Sequence, residues 1–101
     1  MTSEQEAFDI FGIWKNSTTV LKLTMETNGA IPETMFVQVA ALDRDASQAS
    51  FVVPRTRPLL LRDLAGASFR AGKRKLEVEC FDGERLTFEE VVERPKESRI
   101  M

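Results

Sequence analysis

The chain has no histidine and no tyrosine, and only one cysteine, in 101 residues. Without histidine there is no Ser-His-Asp or Cys-His nucleophile arrangement and no imidazole metal ligand. The side chain that most often serves as a base near neutral pH is missing too. Without tyrosine a further proton donor is gone. With Cys80 alone there is no intrachain disulfide and no cysteine-clamped metal site. Carboxylates working in pairs would remain, but a glycosidase-like cleft is hard to build on so short a chain. The expectation is therefore a protein that is not an enzyme, with no catalytic residues, no metal and no cofactor.

Long apolar runs are lacking as well. Stretches such as Leu59-Leu60-Leu61 fall far short of the ~20 residues that span a bilayer. The start, MTSEQEAF, is polar and acidic, unlike a secretory signal with its basic start and apolar middle. These features predict a cytoplasmic protein with no membrane partner. What is present is ordinary for a folded domain: 43% hydrophobic and 30% charged residues. The length suits one domain over residues 1–101 and not two. The end, RPKESRIM over 94–101, carries charge and a proline but no period, and reads as a flexible tail.

Residues 3–15 read as a short amphipathic helix. Ser3 and Glu6 have the S-x-x-E capping-box spacing, in which each satisfies a backbone N–H of the other. Ala7, Phe8, Ile10, Phe11 and Trp14 supply helical apolar spacing, although Gly12 costs about 1 kcal/mol against alanine. These aromatics either cap one end of a barrel or form a partner-binding face.

From Thr18 the period changes to two. Thr19, Leu21, Leu23 and Met25 alternate with Val20, Lys22, Thr24 and Glu26, which describes a half-buried strand. Asn28-Gly29 ends it. Met35–Leu42 predicts a more fully buried strand, Asp43–Gln48 a surface connection, Phe51–Val53 a third strand stopped by Pro54, and Leu59–Leu61 a fourth. The strand character of 68–70 is open.

Lys75–Phe81 and Glu84–Val92 form the last hairpin around Asp82-Gly83. A two-residue loop would set Leu76 opposite Glu89 and Glu77 opposite Phe88, mixing the faces. A three-residue loop, Phe81-Asp82-Gly83 with Gly83 left-handed, sets Leu76 opposite Phe88 and Val78 opposite Leu86, with Glu79 opposite Arg85 and Lys75 opposite Glu89. A one-residue slip turns every side chain over, so the longer loop is predicted. The fold expected is mainly β: five to six antiparallel strands in a small SH3-like or Sm-like barrel, or a curled sheet, with a short N-terminal helix.

The net charge of −2 hides a partition. Residues 1–54 carry three basic and seven acidic groups, and residues 76–101 four and eight. Between them, Arg55, Arg57, Arg62, Arg70, Lys73, Arg74 and Lys75 face only Asp63, a net of +6. Arginine's planar fork suits phosphate or carboxylate. The hairpin register already sets Lys75 and Arg74 opposite Glu89 and Glu90, which leaves Arg55, Arg57, Arg62, Arg70 and Lys73 as the candidate anion- or partner-binding residues.

The segregated charge suits orientation and steering of a protein partner, so an interaction or regulatory module is the leading expectation. Exposed strand edges would also permit a homo-oligomer. The alternative is nucleic-acid or nucleotide binding through residues 55–75. Against it stand a pI near 5.2, the lack of aromatics other than Phe69 within the basic run, and the lack of P-loop or G-x-G-x-x-G patterns. Asp43 and Asp45 lack the glycine and distal glutamate of a calcium loop and read as a solvated turn. Cys80 shares the face of Leu76 and Val78 and reads as a buried small hydrophobe.

Overall fold

The computed structural model describes residues 2–27, 29–53 and 59–91. It comprises α1 (Glu4–Asn16), followed by seven strands: β1 (Leu21–Glu26), β2 (Glu33–Asp43), β3 (Gln48–Val52), β4 (Leu59–Asp63), β5 (Ser68–Gly72), β6 (Lys75–Glu79) and β7 (Arg85–Glu90). All pair antiparallel in one sheet of order β4-β3-β2-β1-β7-β6-β5. The last strand therefore returns to lie beside the first, and β4 and β5 form the two edges.

The mainly β expectation holds, with a strand count of seven against five or six. The sheet is not closed into a barrel, since β4 and β5 do not pair with each other. The helix packs against both β2 and β5.

The helix forms as its cap predicts. The Ser3 backbone N–H donates to Glu6 Oε1 at 2.9 Å, and the Glu6 N–H donates to Ser3 Oγ at 3.1 Å. Ala7, Phe8, Phe11 and Trp14 are buried, and Ile10 packs against them in part. The aromatic stripe thus belongs to the protein's own core. The Phe11 ring sits edge-on to Phe88 and Phe51, whose rings stack on each other at 5.0 Å. Opposite the helix, Leu21, Leu23, Val37, Phe51, Leu76, Val78, Leu86 and Phe88 supply the inward face of the sheet. Each fully buried side chain of this size contributes about 1.5–3 kcal/mol.

Polar contacts fix the helix at both ends. Trp14 Nε1 donates to Glu90 Oε2 at 2.8 Å, while Arg44 pairs with Asp9 at 2.8 Å and Ser47 Oγ donates to Glu4 at 2.8 Å.

The β6–β7 hairpin adopts the predicted register, with Leu76 opposite Phe88, Val78 opposite Leu86 and Glu79 opposite Arg85. Gly83 has φ 95°, the left-handed geometry the three-residue loop requires. The additional strand comes from β5, paired to β6 through a two-residue turn, Lys73-Arg74, in which Arg74 takes φ 58°. The flexible tail expected at 94–101 and the strand stop expected at Pro54 lie outside the described residues.

Candidate functional site

Five residues were singled out as anion- or partner-binding, and the fold does not gather those it describes. Arg55 and Arg57 lie outside the described residues. Arg62 is on the edge strand β4, whereas Arg70 is on the opposite edge strand β5 and Lys73 is exposed in the turn that follows. Phe69 is buried, so its neighbour Arg70 faces solvent.

Arg62 is turned the other way. It pairs with Ala49, a core residue, and so sits on the inward side at the end of β4. Its Nη2 lies 3.1 Å from the Met25 sulfur and 3.9 Å from Glu84, while its Nε is buried without a partner among the described residues. A contact at 3.9 Å between partly exposed groups contributes at most about 1 kcal/mol. Arg62 is thus engaged inside the molecule and holds β4 toward the β6–β7 hairpin.

Arg70 borders an open depression of about 700 Å³ on the solvent face of β5, β6, β7 and β1. Cross-strand rows explain its lining. Arg70 stands opposite Glu77, and Ser68 opposite Glu79, which faces Arg85, which in turn faces Glu26. Two arginines therefore share this surface with Glu26, Glu77 and Glu79. Lys75 stands opposite Glu89 as the register requires, but its Nζ contacts Glu77 of its own strand at 3.1 Å. Of the basic residues in 55–75, Arg62, Arg70 and Lys75 thus stand beside carboxylates, while Lys73 and Arg74 are exposed in the β5–β6 turn.

A smaller open depression, about 360 Å³, lies where the β4–β5 and β6–β7 turns meet, lined by Arg62, Asp63, Ala65, Cys80, Phe81, Asp82 and Glu84. A Cβ at Gly66 would come 3.6 Å from the Phe81 ring, so the two turns touch. The Cys80 thiol and the Asp82 and Glu84 carboxylates place ligand atoms within 4.8 Å of one another. Metal binding would need the thiolate. Burial, and then Glu84 and Asp82, push the Cys80 thiol above its ordinary pKa and oppose that form. The C-x-D-x-E spacing across a tight turn was the available signal for this cluster. Asp43 and Asp63 do turn work, their Oδ1 atoms accepting from the N–H of Ala46 at 3.2 Å and Ala65 at 3.1 Å.

A second surface was not anticipated from composition. On the solvent side of β2, β3 and β4, Phe36 is 51% exposed and Leu61 56% exposed. Val52 stands on the same side between them, opposite Gln38 in the ladder. This face borders β4, whose outer edge pairs with no strand among the described residues. No helix among the described residues is long and apolar enough to cross a membrane. Compared with family models, with curated proteins and with solved structures, the chain matches none.

Proposed function

We propose that this chain is a non-catalytic interaction module that binds another protein through the outer face of β2, β3 and β4. The observation that carries the reading is the apolar outer face itself: exposed Phe36 and Leu61, with half-buried Val52 between them, beside a strand edge that pairs with no strand among the described residues. Exposed aromatic and aliphatic side chains next to free backbone donors and acceptors offer a partner both apolar burial and main-chain hydrogen bonds. The interleaving of Arg70 and Arg85 with Glu26, Glu77 and Glu79 favours a protein over a polyanion, because the carboxylates lower the positive potential a phosphate backbone needs.

The test is capture from the native host's lysate, split into nuclease-treated and untreated halves, using the wild-type chain and a Phe36→Glu/Leu61→Glu variant whose circular dichroism matches it. One discrete protein, retained in both halves and lost with the variant, is the expected result. Material that disappears with nuclease or modest salt, and depends on Arg70 and Lys73 instead, would replace this reading with nucleic-acid binding through residues 55–75.

A further inference from the structure

We infer that the chain pairs with a second copy of itself through β4, antiparallel and two-fold symmetric about Leu61, so that two sheets become one. The inference rests on the reading of the β2–β4 region as an interaction surface and names an occupant for its edge.

The backbone groups of β4 that remain open follow from those already used. In an antiparallel ladder, residues alternate between exchanging hydrogen bonds with the neighbouring strand and pointing those groups away. The Leu64 N–H donates to the Ser47 carbonyl at 2.7 Å, which continues the β3–β4 register and fixes the phase. Arg62 and Leu60 therefore direct their N–H and C=O groups toward Ala49 and Phe51. Leu59, Leu61 and Asp63 direct theirs outward, to the open edge. Leu61 and Asp63 also present their side chains on the solvent face, since Leu60 and Arg62 stand opposite inward-facing Phe51 and Ala49.

A strand with this inventory is complementary to its own copy. With the two-fold at Leu61, Leu61 meets Leu61 of the second copy, and Leu59 meets Asp63 in both directions. Every outward N–H and C=O of the strand then finds a partner, using described residues alone. A one-residue slip would set solvent-facing against core-facing residues and is excluded by face. A two-residue slip keeps the faces but moves Asp63 or Leu59 off the end of the partner strand. The side chain of Leu61 would pack on its own equivalent, removing apolar surface that the monomer leaves in water.

The two edges of the sheet are treated differently, which locates the contact. The β5 edge is covered by the chain's own start: the Thr2 N–H donates to the Phe69 carbonyl, and the Ala71 N–H donates to Thr2 Oγ1 at 2.8 Å. Strand β4 has no such cover among the described residues. From Leu59 to Asp63 it carries no lysine, no proline and no bulge, and its two charges, the inward Arg62 and the terminal Asp63, discourage pairing only at one end of the strand. Five paired residues and one central leucine bury well under the roughly 1,600 Å² of a standard interface, so the dimer is weak and concentration-dependent.

Sedimentation velocity tests this over about three decades of concentration up to the millimolar range, where weak complexes populate. The expected mass rises from the 11.4 kDa monomer toward twice that value. Leu61→Asp, which sets a charge against its own copy at the two-fold, should hold it at the monomer, while Thr87→Lys on the distant face of β7 should not. Amide hydrogen exchange supplies a readout on the unmutated chain. Protection of the Leu59, Leu61 and Asp63 amides should grow with concentration, whereas Leu60 and Arg62 stay protected throughout.

A constant monomer mass with freely exchanging Leu61 overturns the inference, as does a dimer indifferent to Leu61→Asp. Capture of a host protein through Phe36 and Leu61 by a strictly monomeric chain would leave the proposed function standing without this dimer. A dimer that captures nothing would do the reverse.

Discussion

Replacing Phe11 with alanine tests whether the helix is an integral part of the core. The Phe11 ring is fully buried, with centroids 5.2 Å from Phe88, 5.7 Å from Phe51, 5.9 Å from Trp14 and 6.0 Å from Phe8, all edge-on. Truncation removes apolar surface from a site whose neighbours are held by a sheet on one side and a helix on the other, so little collapse is available. Phe→Ala changes of this kind cost about 3–5 kcal/mol, and the lost edge contacts push the value toward the upper end. A domain of this size has a total stability of about 5–15 kcal/mol, and each kcal/mol moves its Tm by about 4–8 °C. The expected result is a loss near 4 kcal/mol and a Tm lower by roughly 15–30 °C. Urea unfolding followed by far-UV circular dichroism measures it, because Trp14 fluorescence is itself altered by the change. Ile13→Ala, on a helix residue 63% exposed, serves as the comparison and should stay within about 0.5 kcal/mol. If Phe11→Ala costs no more than Ile13→Ala, the helix does not share the core of the sheet and the packing described above is wrong. Should Phe11→Ala fail to fold, Phe11→Leu preserves the test at a smaller cost.

Gly12→Ala should stabilise the chain by about 0.5–1 kcal/mol in the same urea titration, because an added Cβ meets only Leu42 Cδ1 at 4.0 Å; destabilisation would mean the helix needs glycine there. Hydrogen bonding from the Ser3 backbone and then its hydroxyl holds the Glu6 carboxyl below its ordinary pKa. The folded pKa is the lower of the two, so this contribution is present above the ordinary value near 4.5 and is lost as pH falls through the folded one. Glu6→Gln should flatten the acid limb of stability below about pH 4.5, and an unchanged limb would remove Glu6 from the account.

What was legible in the residues was local. The capping box at Ser3 and Glu6, the helical aromatics and the β6–β7 register were readable because each depends on spacing within about fifteen residues. In the hairpin, only one register puts Leu76, Val78, Leu86 and Phe88 on a common face. Strand β5 was left open because its turn is Lys73-Arg74, and a left-handed arginine at φ 58° carries none of the asparagine–glycine chemistry that advertises such turns. The pairing of β1 with β7 brings together residues from Glu26 and Arg85 to Leu21 and Glu90, far apart in the chain, and no local pattern encodes it. Three leucines in succession conceal alternation altogether, so the inward direction of Arg62 could not be read from 59–62.

The same non-locality decides where the functional argument ends. Segregation of charge along the chain suggested a basic surface, but a sheet builds its surface from rows that cross strands. The row through Ser68 continues through Glu79, Arg85 and Glu26, and the row through Arg70 continues through Glu77, Thr87 and Thr24. Arg70 thereby acquires Glu77 from the acidic segment 76–101, and Arg85 stands between Glu79 and Glu26. Arg62, meanwhile, is taken up between Met25 and Glu84. Pairing that mixes the segments sets carboxylates among these arginines, and steering by them weakens. The apolar residues on the outer face of β2, β3 and β4 undergo no such compensation. Phe36 and Leu61 stay half-exposed among the described residues however the charges are arranged. The proposed recognition is therefore better sought at the apolar face and the β4 edge, unpaired among the described residues, than at Arg62 and Arg70.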